Sequence, residues 1–249
     1  MRYLVCPVDP SAFAPFAWEN RGVQFIGRRI AADLAAIHHR VDVQAPYPLP
    51  LDSPAIIVAN HTSYVDPLFI QWACPRLIAW LIAREYAQMP GADWICRKIG
   101  TIPVDRGGRD LAATRAALAA LESGRVIGIF AEGRIQTQRQ LLPFQEGVAL
   151  LAIRSGAPVV PTFVDGTQRY AQSLWEAWWQ PQHAVLRFGE PLRFEPSAGR
   201  WGLSQATRRI EAAVGEIGNL LASDARKVIV GDSPKPMPST AQEGHIEQP

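Results

Sequence analysis

The sequence has few of the features that mark secreted, metal-binding or membrane-spanning proteins. Its three cysteines, Cys6, Cys74 and Cys96, are widely spaced and fit neither a disulfide framework nor a CxxC metal site. No apolar run approaches the roughly 18 residues that a membrane-spanning helix needs, and residues 1–10 lack the pattern of a signal peptide. These absences predict a protein of a reducing cytosol that does not span a bilayer.

An excess of charge of one sign is also missing. The chain has 25 basic and 23 acidic residues, a net charge of +2, which gives no reason to expect a nucleic-acid partner. Lysine occurs only at positions 98, 227 and 235, so arginine carries nearly all the positive charge. The four other histidines form no ligand pattern with His61, and no metal is expected; they are His38, His39, His183 and His245.

What the sequence does have, after the proline-rich link from Ala45 to Pro54, is an alternation of short apolar runs and longer segments of helical period. This alternation is typical of an α/β fold with a mostly parallel central sheet flanked by helices. Several runs are apolar throughout, as expected when both faces of a sheet are covered. The predicted strands are Ala55–Ala59, Leu77–Ala83, Thr101–Val104, Val126–Phe130, Val159–Val164 and Ala184–Phe188.

Two helices are predicted from apolar stripes that we expect to face the core. The first ends at Gly124. Its stripe is Leu111, Thr114, Leu118 and Leu121, and the stripe of the second helix is Ala206, Ile210, Val214, Ile217 and Leu221. We therefore divide the chain into an N-terminal amphipathic helical segment (residues 1–45), one α/β domain (residues 46–228) and a disordered tail rich in proline, serine and glutamine (residues 229–249).

Two segments could contact a membrane surface. Apolar residues recur at helical spacing from Val23 to Ile37, with arginines among them, so this helix could lie on a bilayer or pack on its own domain. Trp175, Trp178 and Trp179 would place indole rings on neighbouring faces of another helix. Indoles favour the membrane interface but are also common in protein cores, and the sequence leaves both interpretations open.

The segment most informative about chemistry is Asn60–Asp66, because it directly follows a predicted strand. His61 could take a proton from an alcohol at neutral pH, and a carboxylate hydrogen-bonded to its other ring nitrogen would stabilise the imidazolium that forms. With Asp66 in that role, the pair is two thirds of a Ser-His-Asp arrangement, and a substrate hydroxyl would be the nucleophile. The alternative is structural, since Asp66 followed by Pro67 is also the pattern of a helix N-cap.

Two further strand ends carry an arginine close to glycine. Asp105 and Arg106 follow one predicted strand, and Glu132, Gly133 and Arg134 follow another. A guanidinium beside small backbone can bind a phosphate through two hydrogen bonds. Each segment by itself is equally compatible with a charged surface loop.

Taken together, the order and spacing of these segments resemble the 1-acylglycerol-3-phosphate acyltransferases of the PlsC type. The first conserved sequence block of this family, N-H-x-S-x-x-D, is matched at every fixed position by Asn60, His61, Ser63 and Asp66. The second block ends in D-R, which is matched by Asp105 and Arg106. The resemblance covers roughly residues 50–192.

The third block departs from the family pattern, which is usually F-P-E-G-T-R. Phe130, Glu132 and Gly133 match, but Ala131 replaces the proline and Arg134 comes one position early. A variant of this kind looks similar to branches that acylate lysophospholipids other than lysophosphatidate. Because of this departure, the sequence leaves open which head group the acceptor lysophospholipid carries.

The resemblance implies a glycerolphosphate acyltransferase-like single domain that moves an acyl group from an acyl thioester, acyl-CoA or acyl-carrier protein, to the free hydroxyl of a lysophospholipid. The expected acceptor is 1-acylglycerol-3-phosphate, in phospholipid biosynthesis. His61 would be the general base and Asp66 would orient it. The residues implied near the acceptor phosphate are Arg106, Glu132, Gly133 and Arg134. No metal, cofactor or covalent acyl-enzyme is implied.

From this reading we expect peripheral association with the cytoplasmic face of a membrane. Three alternatives stay open: an acyltransferase for another lysolipid or alcohol, a catalytically inactive lipid-binding relative, and a hydrolase. A hydrolase would need an enzyme nucleophile beside His61. Ser63 is the only nearby candidate, and no G-x-S-x-G elbow is present.

Overall fold

The structure, a computed structural model, describes residues 38–87, 100–105, 110–136, 140–167, 173–195 and 200–231. These residues form one seven-stranded sheet with helices around it. The strands are β1 (Arg40–Ala45), β2 (Ala55–Ala59), β3 (Ile78–Ala83), β4 (Ile102–Val104), β5 (Val126–Phe130), β6 (Val159–Asp165) and β7 (His183–Phe188). The helices are α1 (Asp66–Ala73), α2 (Arg84–Ala87), α3 (Leu111–Glu122), α4 (Gly147–Ser155), α5 (Leu174–Trp179) and α6 (Arg200–Gly231).

The strand order is β1-β7-β6-β2-β5-β3-β4. Strands β6, β2, β5, β3 and β4 are mutually parallel, whereas β7 is antiparallel to β6 and β1 is parallel to β7. The carboxyl ends of the five parallel strands therefore share one edge with the amino ends of β7 and β1. We call this edge, where β2 ends at Ala59 and β5 ends at Phe130, the site edge.

Strand β2 lies at the centre of the sheet and is buried along its whole length. Its alternate residues belong to two different core clusters, with Ile56 and Val58 on one face and Ala55, Ile57 and Ala59 on the other. Apolar side chains on both faces are what a parallel strand covered by helices on each side requires. The predicted α/β fold with a mostly parallel sheet is confirmed.

All six predicted strands are present, each within a residue of its expected bounds. The prediction missed β1, whose residues alternate between exposed and half-buried positions and which carries Arg40 and Asp42. Because β1 pairs with β7, residues 40–45 are part of the sheet, although we had placed them in the N-terminal segment. The remainder of that segment, including Val23–Ile37, lies outside the described residues.

The predicted helix from Leu111 is present as α3, but of the stripe expected to be buried only Leu121 is buried. Leu111 is 61% exposed, and Thr114 and Leu118 are only half-buried. The buried face consists of Ala113, Ala117, Ala120 and Leu121. Small side chains let this helix approach the sheet closely, so three alanines face the core together with Leu121.

The stripe predicted for the C-terminal helix is confirmed on α6, where all five residues are buried: Ala206, Ile210, Val214, Ile217 and Leu221. This helix continues to Gly231, into the region we had assigned to the tail from residue 229, and residues 232–249 lie outside the described part. Among the described residues, no helix combines the length and the apolar character needed to cross a membrane.

Candidate active site

The site edge brings the segments after β2, β5 and β6 together. Ala59 pairs with Phe130, so the residues after these two strands start side by side. On the other side of β2, Thr62 Oγ1 and Thr167 Oγ1 are 2.7 Å apart and share a hydrogen bond. Ligands of open α/β sheets bind at such carboxyl ends, where connections leave the sheet in opposite directions.

Asn60 fixes the point at which the chain leaves β2. Its side-chain Nδ2 donates to the backbone oxygen of Val164 (2.9 Å), and its Oδ1 accepts from the backbone nitrogen of Val164 (2.8 Å). Both hydrogen-bonding groups of this buried amide are thereby satisfied. The next residue, His61, is held in place by this anchor.

His61 and Asp66, five residues apart, are brought together by the turn that precedes α1. His61 Nδ1 lies 3.2 Å from Asp66 Oδ2, and the Asp66 side chain is fully buried while that of His61 is 16% exposed. An ionised carboxylate can only accept, so Nδ1 carries the proton and Nε2 keeps a free lone pair. This is the tautomer that a general base needs.

The surroundings of Asp66 differ from those of a helix cap. Asp66 is the first residue of α1, the N-cap position is Val65, and no side chain caps the helix. The Asp66 carboxylate instead accepts from the backbone nitrogens of Thr62 and Ser63, at 2.7 Å each, which precede the helix. Its hydrogen bonds therefore organise the loop that carries His61.

The His61 ring is also held by aromatic stacking. It stacks on Phe130 with ring centroids 3.9 Å apart, and Phe130 stacks in turn on Trp80, 4.8 Å away. Gly128 makes room for this column, because a β-carbon at that position would overlap the Trp80 ring. Stacking and the hydrogen bond to Asp66 together restrict the orientation of the imidazole.

Glu132 supports the same loop through the backbone. Its Oε1 accepts from the backbone nitrogen of His61 (3.0 Å), and its Oε2 accepts from that of Leu142 (3.1 Å). Burial raises the pKa of Glu132 above its ordinary value, and the two N–H groups act in the opposite direction. With both oxygens so engaged, the carboxylate lies against the protein backbone, although the family resemblance had placed it near the acceptor phosphate.

Residues 40–165, just over half of the chain, match the Acyltransferase family. The chain belongs to this family. The predicted PlsC-type resemblance is confirmed by relatives named as 1-acyl-sn-glycerol-3-phosphate acyltransferases. The mouse alpha form is 24% identical over 159 residues, covering 63% of this chain and 56% of that protein. The human alpha form is 27% identical over 134 residues, covering 53% and 47%.

A bacterial relative, from Borreliella burgdorferi, is 29% identical over 126 residues, covering 49% of this chain and 50% of its own. The chain thus spans about half the length of the curated relatives it matches. Among solved structures, the lysophosphatidate acyltransferase PlsC from Thermotoga maritima aligns with a TM-score of 0.64 at 22% identity, covering 83% of this chain and 85% of that one. This likeness supports the fold.

Two further predicted site residues of this acyltransferase-family chain, Gly133 and Arg134, lie close to the same edge. Gly133 occupies the turn after β5 with φ +73°, a conformation that glycine adopts without strain. Arg134 follows it and is exposed. Arg106 lies outside the described residues. The structure thus places Arg134 where the chain leaves β5, one strand away from the segment that carries His61.

Arg84 is a charged residue at the site edge that the sequence reasoning missed. It follows β3, and its guanidinium donates from Nε to Asp105 and from Nη2 to Asp110, the latter at 3.4 Å. Asp110 also caps α3 by accepting from the backbone nitrogen of Ala113. Arg84 lacks the neighbouring glycine that marks Arg106 and Arg134, and only its position directly after a strand could have indicated it.

The arrangement does not favour Ser63 as a nucleophile. Its Oγ is buried and has no hydrogen-bond partner in the described part of the chain, whereas its backbone nitrogen donates to Asp66. A serine hydrolase would need that Oγ hydrogen-bonded to His61. Within the described ranges, no three His, Cys, Asp or Glu side chains come together as metal ligands.

Proposed function

We propose that this protein transfers an acyl group from an acyl thioester to the free hydroxyl of a lysophospholipid, with 1-acylglycerol-3-phosphate as the acceptor. The observation that carries the proposal is the hydrogen bond between His61 Nδ1 and the buried Asp66 carboxylate, at the end of the central strand. It leaves Nε2 as a base, and among the described residues no serine or cysteine side chain is hydrogen-bonded to it.

In the proposed reaction, His61 Nε2 takes the proton of the acceptor hydroxyl as its oxygen attacks the thioester carbonyl carbon. The tetrahedral intermediate collapses, the carbon–sulfur bond breaks, and the imidazolium returns the proton to the leaving thiolate. Asp66 stabilises the imidazolium between these two steps, and it does so from a fully buried position where charge interactions are strong. Acyl-CoA and acyl-carrier protein would both serve such a mechanism, and neither a metal nor a cofactor takes part in it.

Arg134 and Arg106 are the groups we propose for the acceptor phosphate. Arg134 follows β5, and neighbouring strands of a sheet are about 4.8 Å apart, so a phosphate bound there would lie within reach of a hydroxyl at His61. A guanidinium matches two phosphate oxygens at once. Gly133, with φ +73°, allows the tight turn of the backbone that precedes Arg134. Glu132 takes a supporting role, because like charges would oppose a direct contact with phosphate.

We place the protein on the cytoplasmic face of a membrane as a peripheral enzyme, since its acceptor is a membrane lipid and acyl thioesters are cytosolic. The candidate membrane contact in the sequence is the amphipathic segment Val23–Ile37.

The decisive experiment offers purified protein acyl-CoA and acyl-carrier protein thioesters together with a panel of lysolipids, and identifies the products by mass spectrometry. We expect a diacyl product from 1-acylglycerol-3-phosphate and none with His61→Ala. Arg134→Ala should raise the KM of the acceptor far more than that of the thioester. Turnover by His61→Ala, or free fatty acid as the main product, would contradict the proposal, and a different preferred lysolipid would reassign the acceptor.

A further inference from the structure

A cavity opens beside β1 and β7, and His61 is not among the residues that line it. Its volume is about 550 Å³, and it is lined by His38, Arg40, Val41, Trp72, Pro181, Gln182 and His183. Arg40 pairs with His183 at the start of both strands, so the cavity lies at the site edge. Strand β1 is three positions away from β2 in the sheet, which corresponds to roughly 14 Å. The cavity and the His61 site therefore face the same side of the molecule.

The lining is basic. Three of its seven residues are His38, Arg40 and His183, and no carboxylate is among them. Arg40 and His183 are exposed, and neither side chain forms an ion pair with a residue in the described ranges. Concave surfaces lined by charge of one sign concentrate ligands of the opposite sign. The cavity is suited to an anion.

The groups available to a ligand are those of the exposed lining residues. Trp72 Nε1 and His38 Nε2 are buried and have no partner in the described part of the chain, but they have no accessible surface and do not face the open cavity. Arg40 and His183 are exposed and offer a guanidinium and an imidazole N–H. A phosphate carries the negative charge and the acceptor oxygens that such donors bind.

The rim adds an apolar element. Trp179, at the end of α5, is 68% exposed, and its ring lies 6.4 Å from that of His38. Trp178, beside it, stacks on the same histidine at 6.2 Å and is only half-buried. Exposed indoles favour the interface between lipid head groups and acyl chains. The volume also exceeds what a bare phosphate ion needs and falls in the range of small-molecule sites.

We propose that this cavity binds the phosphate head group of an anionic phospholipid and, with Trp179 inserted beside it, docks the site edge on the membrane surface. The inference rests on the proposed function in one respect, that the acceptor is collected from a membrane. The docking lipid would be distinct from the acceptor. Phosphate also occurs in free inorganic form and in coenzyme A, so the test has to separate these sources.

The test measures cosedimentation of the full chain with phosphatidylcholine vesicles that contain or lack phosphatidylglycerol. The double variant Arg40→Gln/His183→Gln should bind phosphatidylglycerol vesicles about five- to tenfold more weakly than the wild type, as expected for basic groups at an anionic surface. Arg154→Gln is the matched control, because it removes an exposed positive charge from the last turn of α4, at the opposite edge. The control should bind as the wild type does. Melting temperatures report whether the variants are folded.

Competition then identifies the source of the phosphate. Binding to vesicles should persist when inorganic phosphate or coenzyme A is added in excess. Displacement by inorganic phosphate would reduce the cavity to a simple anion site, and displacement by coenzyme A would assign it to the acyl donor; either result overturns the lipid proposal. So would unchanged binding of the double variant, or an equal loss in Arg154→Gln. No acyl transfer is needed in this assay, so its outcome is independent of the proposed reaction.

Discussion

At the scale of single residues, Asp66 accepts three hydrogen bonds through one oxygen. Oδ2 accepts hydrogen bonds from His61 Nδ1 and from the backbone nitrogens of Thr62 and Ser63, and the whole Asp66 side chain is buried. One atom thus sets both the tautomer of the histidine and the shape of the loop that carries it. Substitutions at Asp66 can separate these two roles.

We expect Asp66→Asn to fold and to lose most of its activity. The amide oxygen can still accept from Thr62 and Ser63, but a neutral group does not stabilise an imidazolium, and turnover should fall by about a hundredfold to ten-thousandfold. Asp66→Ala should also destabilise the protein, by about 1–3 kcal/mol for each backbone N–H left unpaired. Steady-state kinetics and thermal unfolding measure the two effects. Turnover at the wild-type rate in Asp66→Asn would refute the mechanism.

Glu132 can be tested with an isosteric change, Glu132→Gln. The amide offers one acceptor where the carboxylate offers two, so either His61 or Leu142 loses its backbone hydrogen bond. We expect a lower kcat with little change in the KM of either substrate, and a loss of stability of about 1–3 kcal/mol. Glu146→Gln, at an exposed position without a side-chain cap hydrogen bond, is the matched control. A rise in the acceptor KM alone would instead favour direct contact with the phosphate.

The raised pKa of Glu132 adds a pH dependence to the same comparison. A carboxyl whose pKa is higher in the folded state than its ordinary value of 4.5 binds its proton more tightly when folded. The stability it contributes is fully present below pH 4.5 and is lost as the pH rises through the folded pKa. The free energy of unfolding of the wild type, relative to Glu132→Gln, should therefore decrease as the pH rises. A difference that grows with pH would contradict this assignment.

At the scale of elements, β5 links the core to the reactive histidine. Gly128 lies under the Trp80 ring. Trp80 stacks on Phe130, and Phe130 in turn stacks on His61. Gly128→Ala should cost about 1–3 kcal/mol through overpacking and should also lower kcat, because the column has to shift. Gly147→Ala, at the start of α4 with open space around it, should keep both stability and activity. Calorimetry and kinetics on the two variants test this link, and a destabilised but fully active Gly128→Ala would disprove it.

The strands and helices also show which parts of the fold could be predicted from the sequence. Strands β2, β5 and β6 were placed correctly because strands buried on both faces are continuous apolar runs. The edge strand β1 was missed, since alternation of half-buried and charged residues over six positions is a weak signal. On α3 only Leu121 of the predicted stripe is buried, and three alanines make up the rest of the buried face. A helix that packs closely can bury small residues, and periodicity alone does not reveal how closely a helix will pack.

At the scale of the whole molecule, the candidate site is predictable only where it is local in sequence. His61 and Asp66 are five residues apart, and their motif could be read directly. The contacts of Asn60 with Val164, of Glu132 with His61 and of Arg84 with Asp105 depend on which strands are neighbours. Strand order is a property of the assembled sheet, and the sequence indicated six of the seven strands without indicating their order.

The complete protein should associate with membranes peripherally. Trp179 is exposed at the site edge, and the sequence from Val23 to Ile37 has the spacing of an amphipathic helix with arginines in it. We expect high salt or alkaline carbonate to release the protein from isolated membranes, because screening and loss of surface attraction act on peripheral contacts. Immunoblots of the washed pellets provide the measurement. Protein that resists both washes and needs detergent for extraction would count against peripheral binding.

The side-chain amide of Asn60 has the same chemistry as a peptide unit, and it faces β6 as a peptide unit would. It offers Val164 one donor and one acceptor after the backbone of β2 has already turned away. The hydrogen bonding between β2 and β6 is thus extended by one residue, through a side chain and not through the main chain. The sheet stays hydrogen-bonded at its centre, while the backbone of His61 bonds outside the ladder, its N–H donating to Glu132 and its carbonyl oxygen accepting from the Gln136 N–H. Freed from strand pairing, His61 can present its imidazole at the site edge.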